Sequence, residues 1–277
     1  MTEKSIKKLL IKARKQVFSE IPGNNPSLFK GEGFDFVELR EYQPGDDVKK
    51  IDWLISAKLQ KPYVKLYREE RELNVVVAAM LNGSTYFGTK RFKYETMAEI
   101  AAILGYAAIK NQDNFSYVLY ADKEYDSIAP TKHINAVQQC AKRIAYFDPL
   151  GKKANFKGLV RKLFGIKRKS IIFILSDFFD EVDLRVLAKK HEVVAIIVRD
   201  RLEEEPVALG YINLIDPETK KSLSVDLEGV TLKNYKKEEK RIDHELFEML
   251  KKSGVRFTKI YTHDEPFIKL LKLFGQR

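Results

Sequence analysis

Residues 74–81 read Asn74-Val75-Val76-Val77-Ala78-Ala79-Met80-Leu81. After one amide the run is apolar and does not alternate. A strand with one face in water alternates with period two. An unbroken apolar run of strand length therefore predicts a strand covered on both faces, as in the middle of a parallel sheet. The residues that follow keep the rhythm of such a sheet. Residues 92–110 put Met97, Ala101, Leu104 and Ala108 on a wide apolar face and predict a helix. Strands are predicted at 115–120, at 171–175 (ending in Ser176-Asp177) and at 193–198, with helices at 134–145, 156–164 and 182–189. Residues 209–227 predict a hairpin turning at Asp216-Pro217-Glu218-Thr219. A helix at 236–252 stops at Ser253-Gly254, and a strand at 257–261 and a helix at 265–274 complete the pattern. Such alternation predicts an α/β fold: a doubly wound, mainly parallel sheet with right-handed crossovers. Ligands of such sheets sit beyond the carboxyl ends of the strands. That points to the tips at 81–88, 121–122, 176–180 and 199–201.

Residues 1–72 lack this alternation. Ile6, Leu9, Leu10, Ala13 and Val17 form one helical stripe, which Pro22, Gly23, Asn24, Asn25 and Pro26 interrupt. A strand-like stretch at 34–42 leads into the turn Pro44-Gly45-Asp46-Asp47, and 63–71 begins as a half-exposed strand. The expected division is an N-terminal helix with a β-containing extension at 1–72 and an α/β domain at 73–277.

Composition bounds the function classes. Of 277 residues, 44% are apolar, with 17 Phe and 13 Tyr, so a large core forms and wholesale disorder is excluded. No stretch reaches the roughly 18 apolar residues of a membrane helix, and the N-terminus lacks a secretory leader pattern. Cys140 is the single cysteine, so no disulfide framework exists within the chain, and a cytoplasmic location is expected. The net charge is +11, from 50 Lys and Arg against 39 Asp and Glu. Most of the excess lies at 151–170, where Lys152, Lys153, Lys157, Arg161, Lys162, Lys167, Arg168 and Lys169 occur with no acid. The segment reads either as a solvated helix face with a basic turn or as a docking surface for acidic groups or phosphates.

Residues 39–47 read Leu39-Arg40-Glu41-Tyr42-Gln43-Pro44-Gly45-Asp46-Asp47, and Ile51-Asp52-Trp53 and Ser56-Ala57 follow. Physically this is a charged cluster around a tight turn. Arg40 can fork carboxylates, Asp46 and Asp47 can cap amides after Pro44-Gly45, and Trp53 offers an apolar face with one donor. The cluster is either a self-satisfied corner or a docking surface, and the two readings are compatible. The stretch closely resembles the signature of the bacterial family called domain of unknown function 58: Leu-Arg-x-Tyr-x-Pro-Gly-Asp-Asp, a short basic spacer, Ile-Asp-Trp, then Ser-Ala. The resemblance extends along the α/β half. It implies a von Willebrand factor A-like domain with a small β-rich extension. It also implies partnership with a MoxR-type AAA+ ATPase; no enzymatic activity is established for the family in general, and neither an enzyme nor a cofactor is expected here.

That resemblance also implies positions for a metal ion-dependent adhesion site, where a hard divalent ion gathers several oxygens. They fall on Met80, Asn82 and Ser84 after the first strand, near Ala154 in a second loop, and on Asp177 in a third. Only Ser84 and Asp177 keep the expected chemistry, because a Met80 thioether is too soft for Mg2+ and an Asn82 amide is neutral. The site is expected to be degenerate and to bind no Mg2+ tightly. A shifted site would recruit Asp122, Asp180 or Asp200, and Asp177 could instead cap the next helix.

Other chemistry is set aside. There is no P-loop pattern, no Gly-x-Ser-x-Gly, and no metal-ligand spacing among His133, His191, His244 and His263. The order and spacing of Ser84, Asp177 and His263 do not suit a triad. The expected function is a non-enzymatic interaction or adaptor protein. The alternative is a basic nucleic-acid- or phosphate-binding module, although only Phe156 and Phe164 interleave the cations of 151–170.

Overall fold

The protein, a computed structural model, is described at residues 1–20, 38–46, 48, 51–66 and 72–275. It forms two compact units: Met1–Phe29 with Leu73–Arg277, and Lys30–Glu72. The chain therefore does not divide at residue 73 alone. The reason lies in α1 (Glu3–Lys15), which Thr2 caps by accepting from the Ser5 amide. Its stripe of Ile6, Leu9, Leu10 and Ala13 is buried in the main core of the α/β unit. Lys12 adds ion pairs to Glu99 at 3.0 Å and Glu265 at 2.7 Å.

The small unit holds β1 (Glu38–Glu41), α2 (Trp53–Leu59) and β2 (Tyr63–Leu66), with β1 and β2 antiparallel. Asp52 caps α2 by accepting from the Leu54 and Ile55 amides.

The large unit is built on a six-stranded sheet. It contains β3 (Asn74–Met80), β4 (Asn114–Tyr120), β5 (Glu124–Ser127), β6 (Ile171–Ser176), β7 (Glu192–Arg199) and, after the separate hairpin β8 (Gly210–Ile215) and β9 (Ser222–Leu227), β10 (Arg256–Tyr261). The order is β10-β7-β6-β3-β4-β5, with every pairing parallel except that of edge strand β5. The helices are α3 (Lys93–Lys110), α4 (Ile134–Ala145), α5 (Phe156–Phe164), α6 (Arg185–Lys190), the four-residue α7 (Arg201–Glu204), α8 (Gly229–Lys252) and α9 (Pro266–Gly275).

The unbroken apolar run of β3 has the expected cause. Val75, Val77, Ala79 and Leu81 join a core with α1, α3, α4 and α9, whereas Val76, Ala78 and Met80 join a second core with α5, α6 and α8. Each fully buried Val, Leu or Ile side chain there contributes about 1.5–3 kcal/mol. The sheet is thus covered on both faces, and the carboxyl ends of β3, β6 and β7 lie side by side.

Several elements differ from expectation, among them the short α7, which is not predicted, and α6, which starts at Arg185 rather than at 182. β5 is a polar edge strand, α2 lies inside the signature, and α8 starts at Gly229 rather than at 236. The first turns of α8 are largely exposed, with Val230 in solvent, so no apolar stripe marks them.

Gly105 sets the closeness of α3 and α4. A Cβ there would lie 2.7 Å from Val137 Cγ1 and 3.1 Å from the Phe115 ring. Overpacking costs about 1–3 kcal/mol, whereas alanine gains about 1 kcal/mol in helix propensity. Gly105→Ala is expected to lower the urea midpoint without changing the slope of the transition.

Candidate functional site

The loops beyond β3, β6 and β7 converge on one buried polar cluster. β3 ends at Met80, and the chain turns through Asn82 into a short 3-10 segment, Gly83–Thr85. β6 ends at Ser176, whose hydroxyl accepts from the Phe178 amide at 3.1 Å. Phe178 takes φ +53°, a left-handed conformation costly for an aromatic residue and typical of functional turns. Its ring stacks on Phe156 at 5.6 Å, which anchors the turn next to Asp177.

Asp177 is the centre of the cluster and has no exposed side-chain surface. Its Oδ2 accepts from Ser84 Oγ at 2.5 Å and from Lys93 Nζ at 2.8 Å. Lys93, likewise wholly buried, also donates to Glu203 Oε1 at 2.6 Å and lies 4.9 Å from the Phe179 ring centre. Arg199, the last residue of β7, donates from Nε to the Asp177 carbonyl at 2.5 Å. Its guanidinium stacks 3.3 Å over Phe179 and pairs with Glu239 at 3.6 Å and Asp243 at 3.8 Å.

Lys93 is the first residue of α3, where the helix dipole is positive and disfavours a cation. Its charge is offset by the two carboxylates instead. Burial pushes the Asp177 carboxyl up, but Lys93, Ser84 and Arg199 outweigh it and hold it below the usual range. Glu203 and Glu239 go the other way, since burial dominates and Lys93 and Arg199 offset it only in part. Glu218 and Asp180 are also raised, by burial first and then by neighbouring carboxylates.

Of the positions expected for a metal site, the structure brings Asn82, Ser84 and Asp177 together. Asn82 Nδ2 donates to Ser84 Oγ at 2.7 Å and to Glu218 Oε1 at 2.6 Å. Met80 and Ala154 pack against the second core instead. The residues present do not fit a hard divalent ion. At the expected positions the retained carboxylate is taken by an ammonium and the other two groups are a hydroxyl and a neutral amide; Glu218 and Asp180 lie beside that amide, at 2.6 and 3.5 Å, but no three acidic, His or Cys side chains gather into a metal cluster among the described residues. Asp200 is also occupied: it caps α7 and accepts from the Thr89 amide and hydroxyl and from the Thr262 hydroxyl. Asp122 accepts from Tyr125 at 2.8 Å. Asp177 caps no helix.

Within the small unit, Arg40 Nη2 contacts both oxygens of Asp46, at 2.7 and 2.9 Å, rather than forking two carboxylates. Asp46 also accepts from the Gln43 amide, across the turn that Pro44 and Gly45 (φ +109°) form. The Tyr42 amide donates to the Pro62 carbonyl, and Trp53 is 68% exposed. Asp47 lies outside the described residues. In the basic segment, Lys157, Arg161 and Lys162 line the outer side of α5, opposite buried Phe156, Leu159 and Leu163. Lys153, Lys167, Arg168 and Lys169 are exposed, and Lys162 pairs with Glu124. Lys152 sits over the Phe147 and Tyr125 rings.

Sequence reading missed Lys93 and Glu203, and it placed Arg199 at a strand tip and Glu218 in a hairpin turn without giving either a role in the cluster. One signal was present for the first of these, a cation at the head of a helix whose later turns are mostly apolar. Nothing in the order of residues places Glu218, in a hairpin turn 136 positions away, against Asn82.

Comparison with known proteins places the chain. It is 27% identical over 223 residues to the uncharacterized protein Rv1480 of Mycobacterium tuberculosis, covering 78% of this chain and 70% of that one. Among solved structures it is similar to the conserved hypothetical protein BatB from Bacteroides thetaiotaomicron, with TM-score 0.47, 11% identity and coverage of 73% of this chain and 97% of that one. It is also similar to an aerotolerance-related membrane protein from Bacteroides fragilis, with TM-score 0.44, 10% identity and the same coverage. The cytoplasmic expectation is corrected here. A matched structure comes from a protein named as a membrane protein, and one cysteine does not assign a compartment. Among the described residues, no helix is long and apolar enough to cross a membrane. The model of the family "Protein of unknown function DUF58" matches residues 38–245, three quarters of the chain from β1 into α8, and the protein belongs to that family.

Proposed function

We propose that the protein is a non-enzymatic interaction module. On this reading its α/β unit is a von Willebrand factor A-like domain with a degenerate metal site, and its strand-end face docks a protein partner, a MoxR-type AAA+ ATPase engaged in complex assembly or maturation. The observation that carries the reading is the Lys93 ammonium. It is fully buried at the strand ends and pairs with both Asp177 and Glu203, so the position a divalent ion would take on this reading is held by a lysine. The same contact argues against catalysis. Ser84 donates to a carboxylate that Lys93 already holds ionised and below the usual range, which makes a poor base for activating a hydroxyl. His263 stacks on Tyr261, and its Nε2 lies 3.9 Å from Asp264 Oδ1.

The test is affinity purification of the tagged chain from its native host. Recovery of an AAA+ ATPase in near-stoichiometric amount is expected, and its absence would count against the partner. Calorimetry with Mg2+ or Mn2+ is expected to show no saturable heat. Micromolar binding abolished by Asp177→Ala would overturn the degenerate site.

A second reading, anion binding by the basic segment, is favoured by the exposure of Lys157, Arg161, Lys167, Arg168 and Lys169. It predicts affinity for nucleic acid that falls steeply with salt. No electrophoretic shift at low salt would remove it.

A further inference from the structure

We infer that the edge of the α/β unit at the amino ends of its strands, on the side of α5 and α6, is a docking surface for a membrane rich in anionic phospholipid. The inference rests on the anion-binding reading of the basic segment and gives the anion its source.

The charge of the large unit is polarised along the strands. β6, β7 and β10 start side by side, with Ile171 opposite Glu192 and Val194 opposite Arg256. The chain enters them through Lys167-Arg168-Lys169, Lys189-Lys190 and Lys251-Lys252. The acids of these approaches, Glu192 and Glu248, are already paired, with Arg256 and with Lys251. Among the described residues, Arg161, Lys167, Arg168, Lys169, Lys189 and Lys252 make no ion pair, and all six are exposed. At the other ends of the same strands, β6 runs into Asp177, Asp180 and Glu181, and β7 into Asp200, Glu203 and Glu204. An anionic surface therefore attracts one end of the unit and repels the other, which sets orientation as well as affinity.

Cations in the last turn of a helix offset its dipole, which accounts for Arg161 and Lys189. It does not account for Lys167, Arg168 and Lys169. These lie beyond Gly165, which closes α5, and the dipole effect fades within one turn. Their turn is pinned at both ends. The Gly165 amide donates to the Arg161 carbonyl at 3.2 Å, and the Ser170 amide to His191 Nδ1 at 3.2 Å. Three adjacent cations are thus presented to solvent on a fixed turn.

Two apolar side chains lie among the cations. Phe164 is 43% exposed and Val186 55%. Lys190 links them. Its ammonium donates to the Phe164 carbonyl at 2.6 Å and lies 4.6 Å from the centre of that ring. It shares a face of α6 with Val186, four residues before it. Apolar side chains ringed by cations suit the headgroup boundary of a bilayer, where ammonium and guanidinium groups meet phosphates and the apolar groups reach the acyl chains. They suit a nucleic-acid strand less. One face of the Phe164 ring is taken by Lys190, and Phe156 is buried against Phe178, so the segment offers no row of open rings on which successive bases could stack.

The test is co-sedimentation of the full chain with vesicles of phosphatidylcholine alone and of phosphatidylcholine mixed with phosphatidylserine. Binding to the mixed vesicles alone is expected, falling steeply as salt is raised. Lys167→Gln combined with Arg168→Gln and Lys169→Gln should weaken it about a hundredfold, since each cation near such a surface contributes about fivefold. The same loss of charge in Lys233→Gln, Lys237→Gln and Lys240→Gln should change it little. Those lysines are exposed on the stretch of α8 whose Tyr235 donates to the Glu203 carbonyl, at the other end of the strands. Val186→Asn should weaken binding about fivefold without altering its salt dependence. All these side chains are exposed, so unchanged unfolding midpoints certify the fold. Equal sedimentation with both vesicles, or equal loss in the two triple variants, would overturn the inference. Binding of duplex DNA that the first triple variant abolishes, with none to the vesicles, would overturn it and leave the anion-binding reading standing. Binding to neither would end both.

Discussion

Lys93→Ala is expected to lower the unfolding free energy by about 3–5 kcal/mol, the usual cost of removing one partner from a buried ion pair. Native domains have only about 5–15 kcal/mol in total, so this variant stands near the edge of folding. Two causes add. Asp177 and Glu203 lose the ammonium that both contact, and Asp177 has no exposed surface through which water could take over. Lys93→Met separates charge from volume, since it fills most of the space and leaves the carboxylates unpaired. It should be nearly as damaging as alanine. Lys93→Met combined with Asp177→Asn should recover much of the loss, because replacing both members of a buried pair is often close to neutral. Denaturant unfolding of the three variants checks this, and a loss below about 0.5 kcal/mol in Lys93→Ala, the scatter of ordinary surface changes, would sink it.

The pH dependence follows from the same contacts. Asp177 is held below its ordinary value, so its contribution is present above the unfolded carboxylate pKa of about 3.9 and is lost as pH falls through the lower folded value. Glu203 is raised, so its contribution is largest below about 4.3 and fades as pH rises through its folded value. The gap in stability between the wild-type chain and Lys93→Met should therefore be widest near neutral pH and shrink on acidification below about pH 4.

Arg199→Ala is the second large effect, again about 3–5 kcal/mol. Arg199 is fully buried and joins the Asp177 carbonyl, the Phe179 ring, Glu239 and Asp243. Asp243 keeps Lys259, but Glu239 loses the guanidinium that offsets its burial. A raised carboxyl is least costly when protonated, so the penalty should fall as pH drops from neutral towards 5. Arg199→Lys should rescue poorly, because an ammonium cannot stack flat on Phe179 while it also reaches the Asp177 carbonyl. Thermal unfolding of both variants at two pH values is the check, and full rescue by lysine would show that charge alone matters.

Residue order carried different amounts of the fold and of the site. The strands and helices of the doubly covered sheet were legible because burial on both faces leaves continuous apolar runs at β3 and β6 and broad apolar faces at α3 and α4. Elements outside the cores left no such trace. β5 is a polar edge, and the first turns of α8 lie in solvent. At the site, strand ends alone marked the tips at 81–88 and 176–180, and the family resemblance singled out Ser84 and Asp177 within them. Lys93 could not be assigned a role, because only folding brings it 84 positions along the chain to Asp177.

Taken alone, the order of residues determined the alternating architecture, the family signature around Arg40 and Trp53, and the tips where polar groups gather. These depend on local periodicity and spacing, which a linear chain displays directly. Tertiary structure alone decided that α1 belongs to the α/β unit, that a lysine neutralises Asp177 and that an acidic hairpin turn rests on Asn82. Those outcomes depend on charges and donors from distant segments meeting where water is excluded, and the energy of such a meeting is set by distance and burial rather than by neighbours in sequence.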